Sequence, residues 1–475
     1  MKLKSYLIFI IFLVITLLFY IDSFSHFFYQ DDFFHFYISQ AHSIREFIDF
    51  FNPINKFSYQ IYRPLSTQVF FFLYQKIFGF NHFIFQFIVL LLLSLNCFLL
   101  FKIISKYINH NLAFLLAIFY LFHHQNIGIA YYLSTIQTSF VVLLTLLSLL
   151  AIQQKRQNWQ IKVFLFYFLS LFCHEIIIFN SFIYIFILLL EDLNNLKKEK
   201  KLIIALSSMT ILFIIFRLYF VNNQFFQNTH YSLSFSPKTI MNNLMWYIFW
   251  FLSVPEYVIN FVGSGFKPLP PLFNQYLRES MFSLIFLFVN LVIFSFLILK
   301  SKFNQKIILY FAFFIISLLP VLLFPWHKYV YYLPVASIFV IIALSLIIKK
   351  NHNSKVYYLI FSLLLITAFA TNFVDRKTSY NFKRGRFAAI MRQQLDFSLL
   401  KNGNKKILLA NDPSFQVFSK DWGSTSSQAK IVLRDDIGIK LLSQNPHLMI
   451  YYEDDANFDK NMDFDYYFII KKEWQ

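Results

Sequence analysis

The chain has 475 residues, is 58% hydrophobic, and carries a formal net charge of +18 at a mean hydropathy of +0.56. That much apolar sequence excludes an ordinary soluble domain, and apolar runs of roughly 15–22 residues recur, the longer of them matching a ~30 Å hydrocarbon core. The positive charge gathers in short loops between these runs, as the positive-inside rule expects, so it gives no ground for a nucleic-acid partner.

The first run extends from about Tyr6 to Tyr20, behind Lys2 and Lys4. It is signal-like, but no small-residue cleavage site follows, so it reads as an uncleaved first span with the N-terminus in the cytoplasm. Residues 22–80 then form a long outer loop. Within it, Pro64 to Phe78 reads as an aromatic, amphipathic helix lying in the interface plane. Further spans are expected at about Phe83–Phe101, Leu112–Ile127 and Tyr132–Ala151. The run Val163–Leu190 is interrupted by His174-Glu175 and basic at both ends, which suits two short, tilted spans with the polar pair at an outer turn. Leu202–Val221 follows. The region 222–279 holds an apolar stretch, Met245–Val254, and a breaker-rich run, 263–271; an interfacial helix and an extra pair of crossings both fit it. Met281–Leu299, Ile307–Phe324, Tyr331–Ile348 and Tyr357–Phe373 complete about eleven spans, with Lys300, Lys302 and Lys306, then Lys349, Lys350 and Lys355, in the inner loops.

The composition changes at Asp375. About eleven of the 24 acids lie before it and about thirteen after it. The expected organisation is a transmembrane domain over residues 1–374 and a small soluble α/β domain over residues 375–475 on the outer face. Strands are expected at Lys406–Ala410, Leu448–Tyr452 and Tyr466–Ile470, and a helix at Gln428–Leu442.

In a segment so poor in acids, the pair Asp31-Asp32 needs a reason. A carboxylate at a membrane rim is costly unless it works or is satisfied locally. Partly desolvated, it can act as a general base toward a hydroxyl or amine. The alternative is a helix cap, with Asp32 preceding a helix from Phe33. Arg63 is a cation in an aromatic segment, suited to a phosphate or to headgroup anchoring. His174-Glu175 is an ionisable pair at the expected turn. Lys328 offers a second phosphate contact or an interfacial anchor. By the same topology all these groups fall on one face of the membrane. His123-His124 lack metal-ligand spacing and can line a polar cavity. Asp435-Asp436 and Asp454-Asp455 read as surface charge. The two cysteines, Cys97 and Cys173, read as packed small hydrophobes, and no metal or cofactor is indicated.

The order of these motifs resembles that of the GT-C glycosyltransferases that use polyprenyl-phosphate sugars, notably the protein O-mannosyltransferases, the TMTC-type transferases and the lipid A aminoarabinose transferase. Asp31-Asp32 followed by His35-Phe36 is similar to the mannosyltransferase Asp-Glu…His-Phe pattern. Tyr62-Arg63-Pro64-Leu65 is similar to the TMTC Tyr-Arg-Pro-Leu, and Cys173-His174-Glu175 occupies the place of their Ser-Lys-Glu. Lys328–Pro334 resembles their Arg-Tyr-Leu-Tyr-Leu-Pro segment. The likeness covers residues 1–373. It departs in having His174 for the usual Lys, and in a tail without tetratricopeptide repeats or a β-trefoil.

The resemblance implies a multi-pass protein of a bacterial-type plasma membrane. It implies inverting transfer of a sugar from a polyprenyl phosphate to an extracytoplasmic acceptor (protein, lipid or glycan). Asp31 or Asp32 would be the base, and Arg63, His35, His174, Glu175 and Lys328 would bind substrate. A lipid-linked saccharide transporter or flippase is the rival class. It should show repeat symmetry and mid-membrane polar residues, and neither is evident in the sequence.

Overall fold

The computed structural model describes residues 5–54, 62–191, 196–220, 232–263, 267, 273–300, 304–350, 354–414, 423–455, 458 and 462–474. Of the expected features, Lys2, Lys4, Lys302 and most of the 263–271 run lie outside these residues. The fold is mostly helical, with a small parallel sheet near the C-terminus.

Every expected span coincides with helix. Among the described residues, six helices are long and apolar enough to cross a membrane: His82–Ile104, Leu133–Gln154, Lys198–Tyr219, Gln305–Leu322, Val330–Lys349 and Lys355–Thr378. A bent pair, His110–Phe122 and His124–Tyr131, makes up to seven. Ser5–Phe19, Trp159–Leu171, Glu175–Leu190 and Leu284–Leu299 are apolar but shorter. The expected count of eleven therefore exceeds the helices that meet the length requirement. In the undecided region 222–279, Pro237–Phe251 is a single helix.

Burial ranks these helices. Val330–Lys349 has 89% of its span buried and Lys198–Tyr219 only 22%, so the first is the inner helix of the bundle and the second lies at its edge. The third expected span is not straight. It bends by 52° at His123, whose backbone is extended. The Asn126 amide donates to the Tyr120 and Leu121 carbonyls freed there, so the break leaves them satisfied.

The composition change at Asp375 falls inside the last long helix, Ser354–Thr378, and a further helix, Tyr380–Gln394, follows with Ser379 as its cap. The C-terminal sheet contains β1 (Lys406–Asn411), β2 (Met449–Tyr452) and β3 (Tyr466–Ile470). Both outer strands run parallel to the central β1, in the order β2-β1-β3. Parallel neighbours require a crossover, and the one from β1 to β2 passes through helix. The single helix expected over Gln428–Leu442 is two, Thr425–Leu433 and Ile437–Ser443. Arg434 and Asp435 between them take left-handed backbone, with φ of 53° and 58°, and end the first helix.

This domain packs directly on the first loop. Phe27, Phe28, Tyr29, Phe33 and Phe36 share one buried cluster with Phe387, Val432, Leu433 and Ile439. The Gln30 N–H donates to the Val432 carbonyl at 2.7 Å, and the Phe27 N–H to the Gly385 carbonyl at 3.0 Å. Gly438 is one point of close approach between the two parts: a β-carbon there would lie 2.7 Å from the Leu433 carbonyl oxygen and 2.9 Å from Phe33. Gly438→Ala should therefore destabilise the protein by about 1–3 kcal/mol, as overpacking does, read as a lower thermal midpoint in detergent.

Candidate active site

Asp31 and Asp32 open the helix Asp31–Ile38, but they face different surroundings. Asp32 is fully buried. Its Oδ1 accepts from the Ser134 N–H at 2.6 Å and the Ser134 hydroxyl at 2.5 Å, and its Oδ2 accepts from the Tyr29 N–H at 3.1 Å. Burial pushes its carboxyl up to about 7, against the opposing pull of these hydrogen bonds. The helix begins two residues earlier than expected, so Asp32 does not precede it as a cap. It reaches back to the Tyr29 N–H instead, and it joins the first loop to the turn at Ser134.

Asp31 is the solvent-facing member, with its side chain 38% exposed. Its Oδ2 accepts from the Tyr132 hydroxyl at 2.6 Å, and its Oδ1 lies 3.5 Å from the Arg434 guanidinium. Tyr132 is held in place by stacking on Tyr29, 5.0 Å between ring centres.

A second network begins one helix turn along. His35 is buried, and burial lowers it to about 4, so its ring is neutral. Its Nε2 accepts from the Gln137 side-chain amide at 3.3 Å, and that amide also donates to the Ser134 carbonyl at 2.9 Å. The Gln137 carbonyl oxygen accepts from Arg63 Nη1. Arg63 clasps Glu175 with both arms, Nε to Oε2 at 2.7 Å and Nη2 to Oε1 at 2.6 Å. Arg217 stands 3.5 Å from the same carboxylate. His174 lies 3.6 Å from it and is lowered by burial to about 3, so it carries no charge where the similar motif has Lys. Arg63 sits where Pro64–Val69 winds as a π-helical turn, a local widening common near functional sites.

Asp32, His35, Arg63, His174 and Glu175 are thus brought together through Ser134 and Gln137, with Asp31 beside them. Lys328 lies apart from this network. It lines a cavity of about 1200 Å³ together with Lys238, Arg384, Glu256, Asp375 and Tyr380. Gln30, next to Asp31, is on the same wall, and Arg384 donates to its side-chain oxygen at 3.2 Å. The lining also includes the apolar side chains of Met241, Met245, Trp246 and Trp326. His327, beside Lys328, hydrogen-bonds the Tyr332 hydroxyl at 2.8 Å, and Tyr332 meets the His174 ring edge-on at 5.9 Å.

Sequence reasoning missed several members. Ser134 and Gln137 are ordinary polar residues at the start of an apolar run, and nothing in the run distinguishes them. Glu256 and Asp375 signal themselves only as isolated acids. Asp375 accepts from the Glu256 N–H at 2.9 Å and pairs with His124 at 2.5 Å, which places His124 on the cavity wall. Desolvation pushes Glu256 up to about 7, with the Asp375 charge acting in the same direction. The acids of the tail are engaged locally: Lys440 with Asp436, Lys430 with Asp455 at 2.5 Å, and Asn411 with Asp454 at 2.9 Å. Among the described residues, no three His, Cys, Asp or Glu side chains converge as a metal ion requires.

The apolar helices define an integral membrane protein carrying a small parallel α/β domain. No family model matches the chain, and no curated protein matches it.

Two expectations follow from this geometry. Glu175→Gln leaves two guanidinium groups without their counter-charge, and should cost about 3 kcal/mol, measured by chemical or thermal unfolding. Asp32 holds its proton more tightly folded than unfolded, so its contribution to stability is complete below about pH 4 and is lost as pH rises through about 7. The loss should be about 2–4 kcal/mol, and Asp32→Asn should flatten it in unfolding midpoints taken from pH 4 to 8.

Proposed function

We propose that this protein is a membrane glycosyltransferase of the GT-C type. It moves a sugar from a polyprenyl-phosphate donor to an acceptor on the extracytoplasmic side, with Asp31 as the base. The observation that carries this reading is the division of labour within the acidic pair. Asp32 is consumed by internal hydrogen bonds, while Asp31 is held by a tyrosine hydroxyl and still reaches solvent beside the cavity.

The chemistry needs little else. The acceptor O–H or N–H gives its proton to the Asp31 carboxylate as the acceptor atom attacks the anomeric carbon. The bond from that carbon to the phosphate oxygen breaks on the opposite face, so configuration inverts and the lipid phosphate leaves with the electron pair. Lys328, Lys238 and Arg384 line the cavity where that negative charge would develop, and cations fixed in place stabilise it without reorganising. The apolar lining suits a lipid chain. A cavity of about 1200 Å³ exceeds what one small metabolite fills. Arg63 has a different part: clasped by Glu175, it braces the loop that presents the acidic pair. The proposed topology has about eleven crossings, the bilayer thinning around the shorter helices, in a bacterial-type plasma membrane.

The test uses purified protein in lipid, a panel of polyprenyl-phosphate sugars, and release of the free lipid phosphate as the readout. Asp31→Asn should lower the rate by about 10²–10⁴-fold while the protein stays folded. A normal rate in Asp31→Asn rejects the base assignment. Movement of labelled lipid-sugar between leaflets, with no phosphate release from any donor, favours the flippase instead.

A further inference from the structure

Asp31 and Gln30 are gripped from the far end of the chain. The Gln30 backbone has φ 50° and ψ −115°, a conformation that a residue with a β-carbon adopts only when its surroundings impose it. Its N–H is taken by the Val432 carbonyl at 2.7 Å, and its side chain by Arg384. One residue on, the Asp31 carboxylate faces Arg434 at 3.5 Å. Arg434 also sits over the Phe34 ring, 5.6 Å from its centre, and owes its direction to the left-handed turn that ends the helix Thr425–Leu433. The soluble domain therefore fixes both the backbone before the carboxylate and one of its oxygens. Tyr132, from the membrane part, fixes the other.

The partners are 40% and 38% exposed. An ion pair that open to water contributes only about 0–1 kcal/mol to stability, so holding the fold together is a poor account of it. Orientation is a better one. With Tyr132 on Oδ2 and Arg434 beside Oδ1, the carboxylate can turn little.

We infer that the C-terminal domain is a working part of the active site, with Arg434 as the positioning residue that aims the Asp31 carboxylate. This rests on the reading of Asp31 as the base. A carboxylate misaimed by an ångström or less costs a factor of about ten to a hundred in rate.

The experiment compares the full-length wild type with Arg434→Gln, Arg434→Lys and Arg386→Gln, the last removing the same charge from an exposed site on the helix Tyr380–Gln394. Initial rates of lipid-phosphate release are measured over donor concentration, with hydrogen exchange of the 29–36 segment recorded on the same samples. The expected result is a kcat about ten- to a hundredfold lower in Arg434→Gln with the donor KM within about twofold. Arg434→Lys should recover most of the rate, and Arg386→Gln should match the wild type. Exchange in the 29–36 segment should rise in Arg434→Gln alone. An unchanged kcat, a loss confined to KM, or an equal loss in Arg386→Gln overturns the assignment of Arg434. If the wild type releases no phosphate from any donor, the transferase reading fails by itself. The exchange measurement still decides the grip: unchanged exchange in Arg434→Gln overturns it.

Discussion

A carboxylate taken fully out of water must be satisfied from within, because an unpartnered buried charge costs several kcal/mol. Asp32 meets that requirement with the backbone and hydroxyl of Ser134 and the backbone of Tyr29. Those bonds join the first loop to the entry of the helix Leu133–Gln154 and fix how the helix Asp31–Ile38 is rotated. Successive residues on a helix project about 100° apart. Turning Asp32 inward therefore turns Asp31 away, toward Tyr132 and solvent. The adjacency that makes the pair conspicuous in the sequence is what lets one member anchor and the other stay open.

The cations divide in a similar way. Arg63 and Arg217 share the Glu175 carboxylate, so one of their two charges is balanced close to where it arises and a net positive charge remains in the network. Through Gln137 it reaches His35 and Ser134, hence the anchor of Asp32. Replacing one fork of hydrogen bonds by a point charge at Arg63 would lose the geometry even with the charge kept. Lys328, Lys238 and Arg384 stand instead on a cavity wall. The motifs that look alike as isolated cations thus separate into those that shape the loop and those that face space.

The helical layout was legible because a lipid-facing or packed helix must be apolar over its length, and the runs say so. Their number as true crossings was less legible: Ser5–Phe19 and Trp159–Leu171 are helical but short, and hydropathy alone does not say how they lie. The bend at His123 depends on Asn126 finding carbonyls a turn earlier, which no local propensity announces. The three strands were readable as short apolar runs between polar segments, aromatic-rich in β2 and β3 and aliphatic in β1. The helix over Gln428–Leu442 looked continuous because Arg434, where the first helix ends, is not a residue that usually takes left-handed backbone. Asp31-Asp32, Arg63 and His174-Glu175 stood out by being ionisable in apolar surroundings. Ser134, Gln137 and Tyr132 did not, since a serine, a glutamine or a tyrosine at the end of a span is ordinary.

The abrupt change in composition at Asp375 suggests an appendage, yet contacts cross it in both directions. Asp375 itself is buried against His124 and the Glu256 backbone. His26 bonds the Phe382 carbonyl, Tyr29 bonds Asn381, and Phe33 fills the space left by Gly438. Removing the tail would expose a row of aromatic side chains and leave the Gln30 N–H without its carbonyl. The surface that presents Asp31 is therefore assembled from the two ends of the chain. Contacts of such long sequence separation form late, since loop closure must come first. The helical bundle can be built segment by segment, whereas the arrangement around Asp31 exists only once the C-terminal helices have docked.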